Sequence, residues 1–204
     1  EVVEVRKSEA ERAMDIVAAK THQLDVDNLK MSPSVEDVEA IADFVAQIKP
    51  DVILLPWLFD AVAKHRCASH LLYLAHKVKP LAAMEIWGYQ AHNALFHNGY
   101  VDITDKIEVK QQMLQCYESQ NRNYKAFGHL TVGMAAWNSR YLPSEVGQVE
   151  KRYAELFFTL PTMDFMTLVE RHYLKSLDKV YKGHPAIVRS MSELQDAIIE
   201  KYAE

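Results

Sequence analysis

Residues 35–79 read VEDVEAIADFVAQIKPDVILLPWLFDAVAKHRCASHLLYLAHKVK, and this stretch decides the fold. At its start, Ser34 and Asp37 have the spacing of a capping box, and Pro50 ends the helix that they begin. The apolar run at residues 51–56 follows at once, which is typical of a strand buried on both faces of a parallel sheet. A second helical pattern begins after a short loop. The order helix, strand, loop, helix predicts a layered α/β fold.

Helical and strand-like patterns alternate along the rest of the chain, without internal repeats. Thr104 and Ser190 are each expected to cap a helix. Helices are predicted over residues 6–17, 65–79, 104–120, 130–141, 163–177 and 190–203, and strands over 23–29, 84–90, 100–104 and 154–160. This alternation predicts a Rossmann-like, three-layer α/β fold with a mostly parallel sheet and a site at the carboxyl ends of its strands.

Length and composition fit one globular domain. The 204 residues suffice for a well-buried core, so we expect a single domain over residues 1–204. Apolar residues make up 49% and charged residues 25%, and the formal net charge is -5 without any run of Lys and Arg. This balance argues against a nucleic-acid or anionic-membrane surface. The longest apolar run, residues 52–59, is interrupted by Pro56 and is too short to cross a bilayer.

The cysteines and the first residue bear on where the protein acts and how much of it is present. Cys67 and Cys116 lack metal or redox spacing, and they are expected to be reduced thiols of a cytoplasmic protein. The chain opens on Glu1 instead of Met, in the middle of an apolar pattern. We therefore expect a fragment or a processed product that lacks one or more N-terminal strands.

The loop after the buried strand contains the first candidate for chemistry. His65 falls in the first turn of the next helix, at the mouth of the predicted sheet. His70 lies roughly 140° further round that helix. His76 lies about 16 Å further along it, so neither histidine can share a metal ion with His65. The pattern singles out His65, either as a ligand or catalytic group or as a residue that only begins the helix and packs against it.

Several other residues admit a structural or a functional interpretation. Asp102 is either a site carboxylate at a strand end or a turn residue that accepts hydrogen bonds from backbone N–H groups. Arg6 and Glu9 have the spacing of a surface ion pair. Trp87 and Tyr89 are expected to pack in the sheet rather than to bind a sugar. The chain has no phosphate-cradling glycine motif, no Gly-x-Ser-x-Gly elbow and no His-Glu-x-x-His helix.

Five groups of residues stand in order from residue 6 to about residue 160. They are Arg6-Lys-Ser-Glu9-Ala10; Asp27; Lys49-Pro-Asp-Val-Ile-Leu-Leu-Pro56 with Lys64-His65-Arg66; Val101-Asp102-Ile103-Thr104 with Lys110 and Ser119-Gln120; and Tyr153-Ala154-Glu155-Leu-Phe157. As a set they resemble the PIG-L/LmbE family of zinc-dependent deacetylases, the GlcNAc-PI de-N-acetylase type. The resemblance covers a core over residues 1–160. Residues 161–204 are left as a helical extension that either packs on this core or forms a homo-oligomer contact.

The resemblance implies a zinc site, with another divalent metal as the alternative. In the family, a His and an Asp of an N-terminal His-Pro-Asp-Asp motif hold the ion together with the last His of a His-x-Asp-His loop. By the resemblance, His65 is that last ligand. Arg6 and Asp27 align with residues that contact substrate in relatives, and Lys64 or Arg66 would supply positive charge near the reacting carbonyl. Three such ligands leave a position open for a water whose pKa the metal lowers to about 7.

Two departures from the family pattern limit what this chain is expected to do. The His-Pro-Asp-Asp motif, which includes the general base, is absent, and Val62 and Lys64 replace the His and Asp of the loop. We expect this chain alone to be inactive, and the complete protein to remove the N-acetyl group from a GlcNAc-type sugar conjugate. The alternative is a non-catalytic, deacetylase-like scaffold that binds a glycan or a partner protein. A third interpretation is different hydrolytic or hydration chemistry on the same fold.

Overall fold

The computed structural model describes residues 2–24, 26, 32–123, 127–143 and 151–202. The helices are α1 (Val2–Asp15), α2 (Val35–Ile48), α3 (Ala63–Val78), α4 (Ile107–Gln115), α5 (Glu118–Asn123), α6 (Phe127–Asn138), α7 (Thr162–His172), α8 (Leu177–Val180) and α9 (Pro185–Tyr202). The strands are β1 (Val52–Pro56), β2 (Glu85–Tyr89), β3 (Gly99–Asp102) and β4 (Ala154–Pro161), and 3-10 turns cover Thr104–Lys106 and Ser139–Tyr141. None of the helices in these ranges combines the length and the apolar character that a membrane span needs.

The four strands form one open sheet in the order β1-β2-β4-β3. β1 and β2 are parallel, in register from Val52 opposite Glu85 to Pro56 opposite Tyr89. α3 connects them, because two parallel neighbours need a crossover connection. β4 runs antiparallel to β2, with Glu85 opposite Pro161. The predicted α/β fold is confirmed, and its sheet combines parallel and antiparallel pairs instead of being mostly parallel.

Contacts within the described chain divide it into two compact units. The first unit comprises Glu1–Gln23 and Tyr100–Leu156, and the second comprises Leu24–Gly99 and Phe157–Glu204. The first therefore contains α1 and α4 to α6, whereas the second contains β1, β2, α2, α3 and α7 to α9. A single domain over residues 1–204 stays a prediction.

The core of the second unit lies against β1 and β2 and is built by α2, α3, α7 and α9. The capping box of α2 is present, with the Ser34 N–H donating to Asp37 Oδ2 over 2.7 Å. The fully buried apolar side chains come from all four helices: Val38, Ala42, Cys67, Leu74, Ala75, Val169, Met191 and Ile198. Helices beyond residue 161 thus contribute to this core. The division into a core over residues 1–160 and a C-terminal extension stays a prediction. A homo-oligomer stays a prediction.

β1 differs from the predicted strand buried on both faces. Ile53 and Leu55 pack against the core, whereas Leu54 between them is 57% exposed. Successive side chains of a strand point to opposite faces, and the core of the second unit covers one face of β1. The continuous apolar run therefore overstates how deeply the strand is buried.

Two predicted helix caps are wrong. α9 begins at Pro185, since proline is favoured in the first turn, and Ser190 consequently lies inside the helix. Thr104 begins a 3-10 turn, and its hydroxyl donates to Asp102 Oδ1 over 2.6 Å instead of capping α4. The strand predicted over 23–29 is not formed at residues 23, 24 and 26, and the remaining residues lie outside the described chain.

A buried polar pair interrupts the apolar core of the second unit. His70 and Tyr181 are both fully buried, with stacked rings 6.3 Å apart and His70 Nδ1 3.2 Å from the Tyr181 hydroxyl. Burial lowers the pKa of His70 to about 4, because the imidazolium would lose its hydration there. His70 therefore serves the core, in agreement with its predicted inability to share an ion with His65.

We expect the protein to lose stability as the pH falls from about 6.5 to about 4. In that range the unfolded chain binds the His70 proton and the folded chain does not, so protonation favours unfolding. A shift of this size is on the order of 3 kcal/mol. Urea unfolding across the range measures the free energy of unfolding. His70→Gln, which does not ionise, should lack this part of the pH dependence, and an unchanged slope in the variant would contradict the prediction.

Candidate functional site

Two loops meet at the carboxyl ends of β1 and β2, where open α/β sheets bind ligands. The first loop, residues 57–62, leads from β1 into α3, and the second loop, residues 90–98, follows β2. The Trp57 N–H donates to the Tyr89 carbonyl over 3.0 Å, which joins the starting points of the loops. The indole of Trp57 lies directly on Gly88, where a Cβ would be 2.6 Å from Trp57 Cε3. The absence of a side chain at Gly88 lets the first loop lie against β2.

The carboxylate of Asp60 is the centre of this region. Asp60 is fully buried, and its Oδ1 accepts hydrogen bonds from the Val62 N–H over 2.9 Å and from His65 Nδ1 over 3.0 Å. Oδ2 accepts a hydrogen bond from the His92 N–H over 3.0 Å. The bond to Val62, two residues on, is an Asx turn that orients the chain just before α3 begins. One side chain thus joins the first loop, the first turn of α3 and the second loop.

The charge of Asp60 is stabilised despite its burial. Burial raises the pKa of this carboxyl, but the N–H groups of His92 and Val62 and the imidazole of His65 lower it by more. The pKa of Asp60 therefore lies below its ordinary value. Hydrogen bonds to an ionised acceptor are also stronger than neutral ones. The three donors accordingly hold a negative charge in a fixed place at neutral pH.

His65 is oriented by that carboxylate. An ionised carboxylate only accepts hydrogen bonds, so Nδ1 of His65 carries a hydrogen, and in the neutral ring the lone pair is on Nε2. The imidazole is 33% exposed, in contrast to its fully buried partner. A histidine arranged in this way can bind a metal through Nε2 or accept a proton there. Its predicted role as a metal ligand stays a prediction.

Asn93 fastens the first loop to the second. Its Oδ1 accepts a hydrogen bond from the Ala61 N–H, and its Nδ2 donates to the Phe59 carbonyl, each over 3.2 Å. Gln90 in turn donates to the Asn93 carbonyl over 3.3 Å. The amide of Asn93 thus satisfies one backbone donor and one backbone acceptor, one on either side of Asp60. It fixes the segment that carries the buried carboxylate.

Arg66 supports the same segment from α3. Its Nη1 donates to the carbonyls of Asp60 and Ala61, the latter over 2.9 Å. The guanidinium is therefore engaged with the backbone of the first loop. Lys64 precedes His65 in the first turn of α3 and is half-buried. Substrate binding by Lys64 and Arg66 stays a prediction.

The other two predicted substrate contacts are Arg6 and Asp27. Arg6 is exposed on α1 in the first unit, whereas His65 belongs to the second unit. Asp27 lies outside the residues that the structure describes. The roles of Arg6 and Asp27 therefore stay predictions.

Residues of the matched motifs bind one another inside the first unit. Glu9 is 3% exposed, and its two oxygens accept hydrogen bonds from the N–H and the hydroxyl of Ser119, each over 2.7 Å. These bonds lower the pKa of Glu9. Lys110 forms an ion pair with Glu155. Glu9 thus binds Ser119 instead of forming the surface ion pair that its spacing from Arg6 predicts, because its side chain is turned into the protein.

Asp102, also in the first unit, is a turn residue. Its Oδ1 accepts a hydrogen bond from the Thr104 N–H over 3.0 Å, and its Oδ2 accepts one from Arg152 over 2.6 Å. The hydrogen bonds from the hydroxyl and the N–H of Thr104 lower the pKa of Asp102. The structure therefore favours the turn interpretation over that of a site carboxylate.

Sequence reasoning missed Asp60, His92 and Asn93. Asp60 left one signal, an aspartate just before a helix start, whereas His92 and Asn93 stand in an irregular loop without periodicity. Within the described ranges, no group of three or more His, Cys, Asp and Glu side chains is placed to hold a metal ion. The residues present fit zinc through His65, because metal-binding histidines characteristically donate their other ring N–H to a carboxylate or carbonyl.

Comparison with known proteins supports the fold. The solved structure of GalB, the 4-carboxy-2-hydroxymuconate hydratase from Pseudomonas putida KT2440, matches with a TM-score of 0.64 and 20% sequence identity. The match covers 77% of this chain and 71% of that chain. GalB has a PIG-L/LmbE-like fold, so the likeness agrees with the fold that the sequence resemblance implies. No family model matches the chain, and no curated protein matches it.

Asn93→Ala should loosen the segment around Asp60 while the fold persists. The change removes one hydrogen-bond acceptor and one donor, each contributing about 0.5–1.5 kcal/mol, so the free energy of unfolding should fall by roughly 1–3 kcal/mol. The ring signals of His65 in the NMR spectrum should shift, because His65 is bonded to the same segment.

Asn98→Ala is the matched control for this variant. Asn98 makes equivalent bonds to Thr159, with Nδ2 donating to its carbonyl over 2.9 Å and Oδ1 accepting from its N–H over 2.7 Å. The control should cost similar stability and leave the His65 signals in place. Equal shifts of the His65 signals in both variants would contradict the assigned role of Asn93.

Proposed function

We propose that the protein, together with the N-terminal segment that the family resemblance implies, is a metal-dependent hydrolase that removes the N-acetyl group from a GlcNAc-type sugar conjugate, with His65 at its reacting centre. The observation that carries the proposal is the hydrogen bond between His65 Nδ1 and the buried Asp60 carboxylate. It leaves Nε2 available beside the carboxyl ends of two parallel strands, where α/β proteins bind ligands. The ordered motifs between residues 6 and 160 supply the choice of reaction.

Asp60 and His65 have separate tasks in this proposal. His65 holds a divalent ion, Zn²⁺ or a similar metal, through Nε2. Asp60 keeps the ring in one tautomer and one orientation, and its charge makes Nε2 a stronger donor to the metal. When bound, the ion supplies an acidified water and a polarised amide carbonyl.

The cationic neighbours of His65 have complementary tasks. Arg66 positions the first loop, since its Nη1 donates to two carbonyls of that loop. Lys64 is adjacent to His65 on α3 and is assigned to the negative charge that develops on the carbonyl oxygen during attack by water. Lys64 in this way replaces the loop residue that the family pattern would supply.

Hydration is the second candidate, and the fold likeness favours it. GalB, whose fold is similar, is a 4-carboxy-2-hydroxymuconate hydratase. Hydration and amide hydrolysis both need a water from which a proton is removed, so a histidine held by a carboxylate suits either reaction. The substrates separate them, because hydration of this kind acts on an unsaturated carboxylate and deacetylation acts on an N-acetyl amine.

The protein with the N-terminal segment that the family resemblance implies, purified and supplied with Zn²⁺, should release acetate from at least one N-acetylated sugar conjugate, whereas residues 1–204 alone should not. His65→Asn should lower the rate at least about 100-fold, because it removes a ligand of the ion and the loss of even a residue that only orients a ligand costs about 10–100-fold. His184→Asn is the matched control, because His184 is an exposed histidine of the same unit outside both loops. A coupled assay for acetate measures each rate, with and without EDTA.

Each outcome selects one interpretation. Acetate release by His65→Asn at the wild-type rate would overturn the proposal. Consumption of unsaturated carboxylates without acetate release would favour hydration. Saccharide binding that EDTA leaves unchanged, with neither reaction detectable, would favour the non-catalytic scaffold that Val62 and Lys64 suggest.

A further inference from the structure

We infer that His65 and His92 are two ligands of one transition-metal site. The inference rests on the proposed role of His65 and adds a ligand that the sequence resemblance does not supply. His92 lies in the second loop, next to Asn93, and its side chain is exposed. Both histidines belong to the second unit, so the site is built within one compact part of the chain.

The separation of the two rings fits a shared ion. The ring centres of His65 and His92 are 5.2 Å apart, and the ring planes are inclined by 42°. Two imidazoles that bind one ion tetrahedrally, through nitrogens about 2.0–2.1 Å from the metal, have ring centres roughly 5 Å apart. The described geometry therefore places the two rings at the distance that joint coordination requires.

One carboxylate positions both ligands. Asp60 Oδ1 holds the imidazole of His65, and Asp60 Oδ2 holds the backbone N–H of His92. The loop that carries His92 is fixed further by Asn93, which binds the backbone on either side of Asp60. The buried negative charge of Asp60 beside this pair of histidines also offsets part of the charge of a divalent ion. Asp60 thus orients the ligands without binding the metal itself.

The ligand set defines the class of metal. Imidazole nitrogens suit Zn²⁺, Cu²⁺ and Ni²⁺, whereas Mg²⁺ and Ca²⁺ prefer oxygen ligands. Two histidines leave further coordination positions for water or a substrate oxygen. Two other histidines of α3 are engaged elsewhere: His70 is buried against Tyr181, and His76 Nδ1 accepts a hydrogen bond from the Leu81 N–H over 3.1 Å.

Metal binding tests the inference, with Zn²⁺ and Co²⁺ alone as probes. Calorimetry of the metal-free chain should show one zinc site, and the visible spectrum of bound Co²⁺ should report nitrogen ligands. His92→Asn should weaken zinc binding by more than about tenfold, since loss of even an orienting partner costs about 10–100-fold. His184→Asn should bind zinc as the wild type does, and zinc should shift the NMR ring signals of His65 and His92 together.

Wild-type zinc affinity and an unchanged Co²⁺ spectrum in His92→Asn would overturn the inference. His92→Gln provides a second variant, and thermal unfolding without metal checks that both variants fold. The proposed function and the shared metal site can be overturned independently of each other. Zinc binding that needs both histidines, without acetate release even when the implied N-terminal segment is present, would support this site and overturn the deacetylase proposal. If acetate release and zinc binding both persist in His92→Asn, the deacetylase proposal stands and the shared site of His65 and His92 is overturned.

Discussion

The buried carboxylate of Asp60 is the constraint on which the candidate site depends. A charge removed from water is costly unless hydrogen bonds and opposite charge compensate it. Here the compensation comes from three directions: the turn before α3, the imidazole of His65 and the backbone of His92. The two loops cannot separate without leaving that charge unsatisfied. The hydrogen bonds to that buried charge therefore hold the two loops together at the carboxyl ends of β1 and β2.

The motifs behind the family resemblance fall into two groups with different physical roles. Those of the first unit bind one another, as Glu9 does with Ser119 and Lys110 with Glu155. Such pairs preserve an arrangement of helices and strands whatever reaction the protein performs. His65 is of the second kind, since its Nδ1 is bonded to Asp60 and its Nε2 is the atom that the proposal assigns to the metal. A resemblance carried mostly by the first group transmits the fold more securely than the reaction.

The sequence predicted what local physics determines. The capping box at Ser34, the stop at Pro50 and the apolar run after it define α2 and β1 without any knowledge of distant residues. The position of His65 at a helix start follows from the same pattern. The hydrogen bond from the His92 N–H to Asp60 joins residues 32 positions apart, and His92 lies in an irregular loop. No local sequence pattern therefore indicates this bond. The start of α9 was misplaced for a similar reason, because Pro185 and Ser190 are both acceptable starts and distant packing decides between them.

The contact between Trp57 and Gly88 constrains how this sequence can diverge. The indole occupies the space that a Cβ at position 88 would need, so a large side chain at position 57 requires glycine at position 88. A descendant that gains a side chain at position 88 has room for only a small residue at position 57, and its first loop would then begin without an aromatic wall. Positions 57 and 88 would therefore change together during evolution. Such a paired substitution would alter the shape of the site entrance while Asp60 and His65 stayed the same.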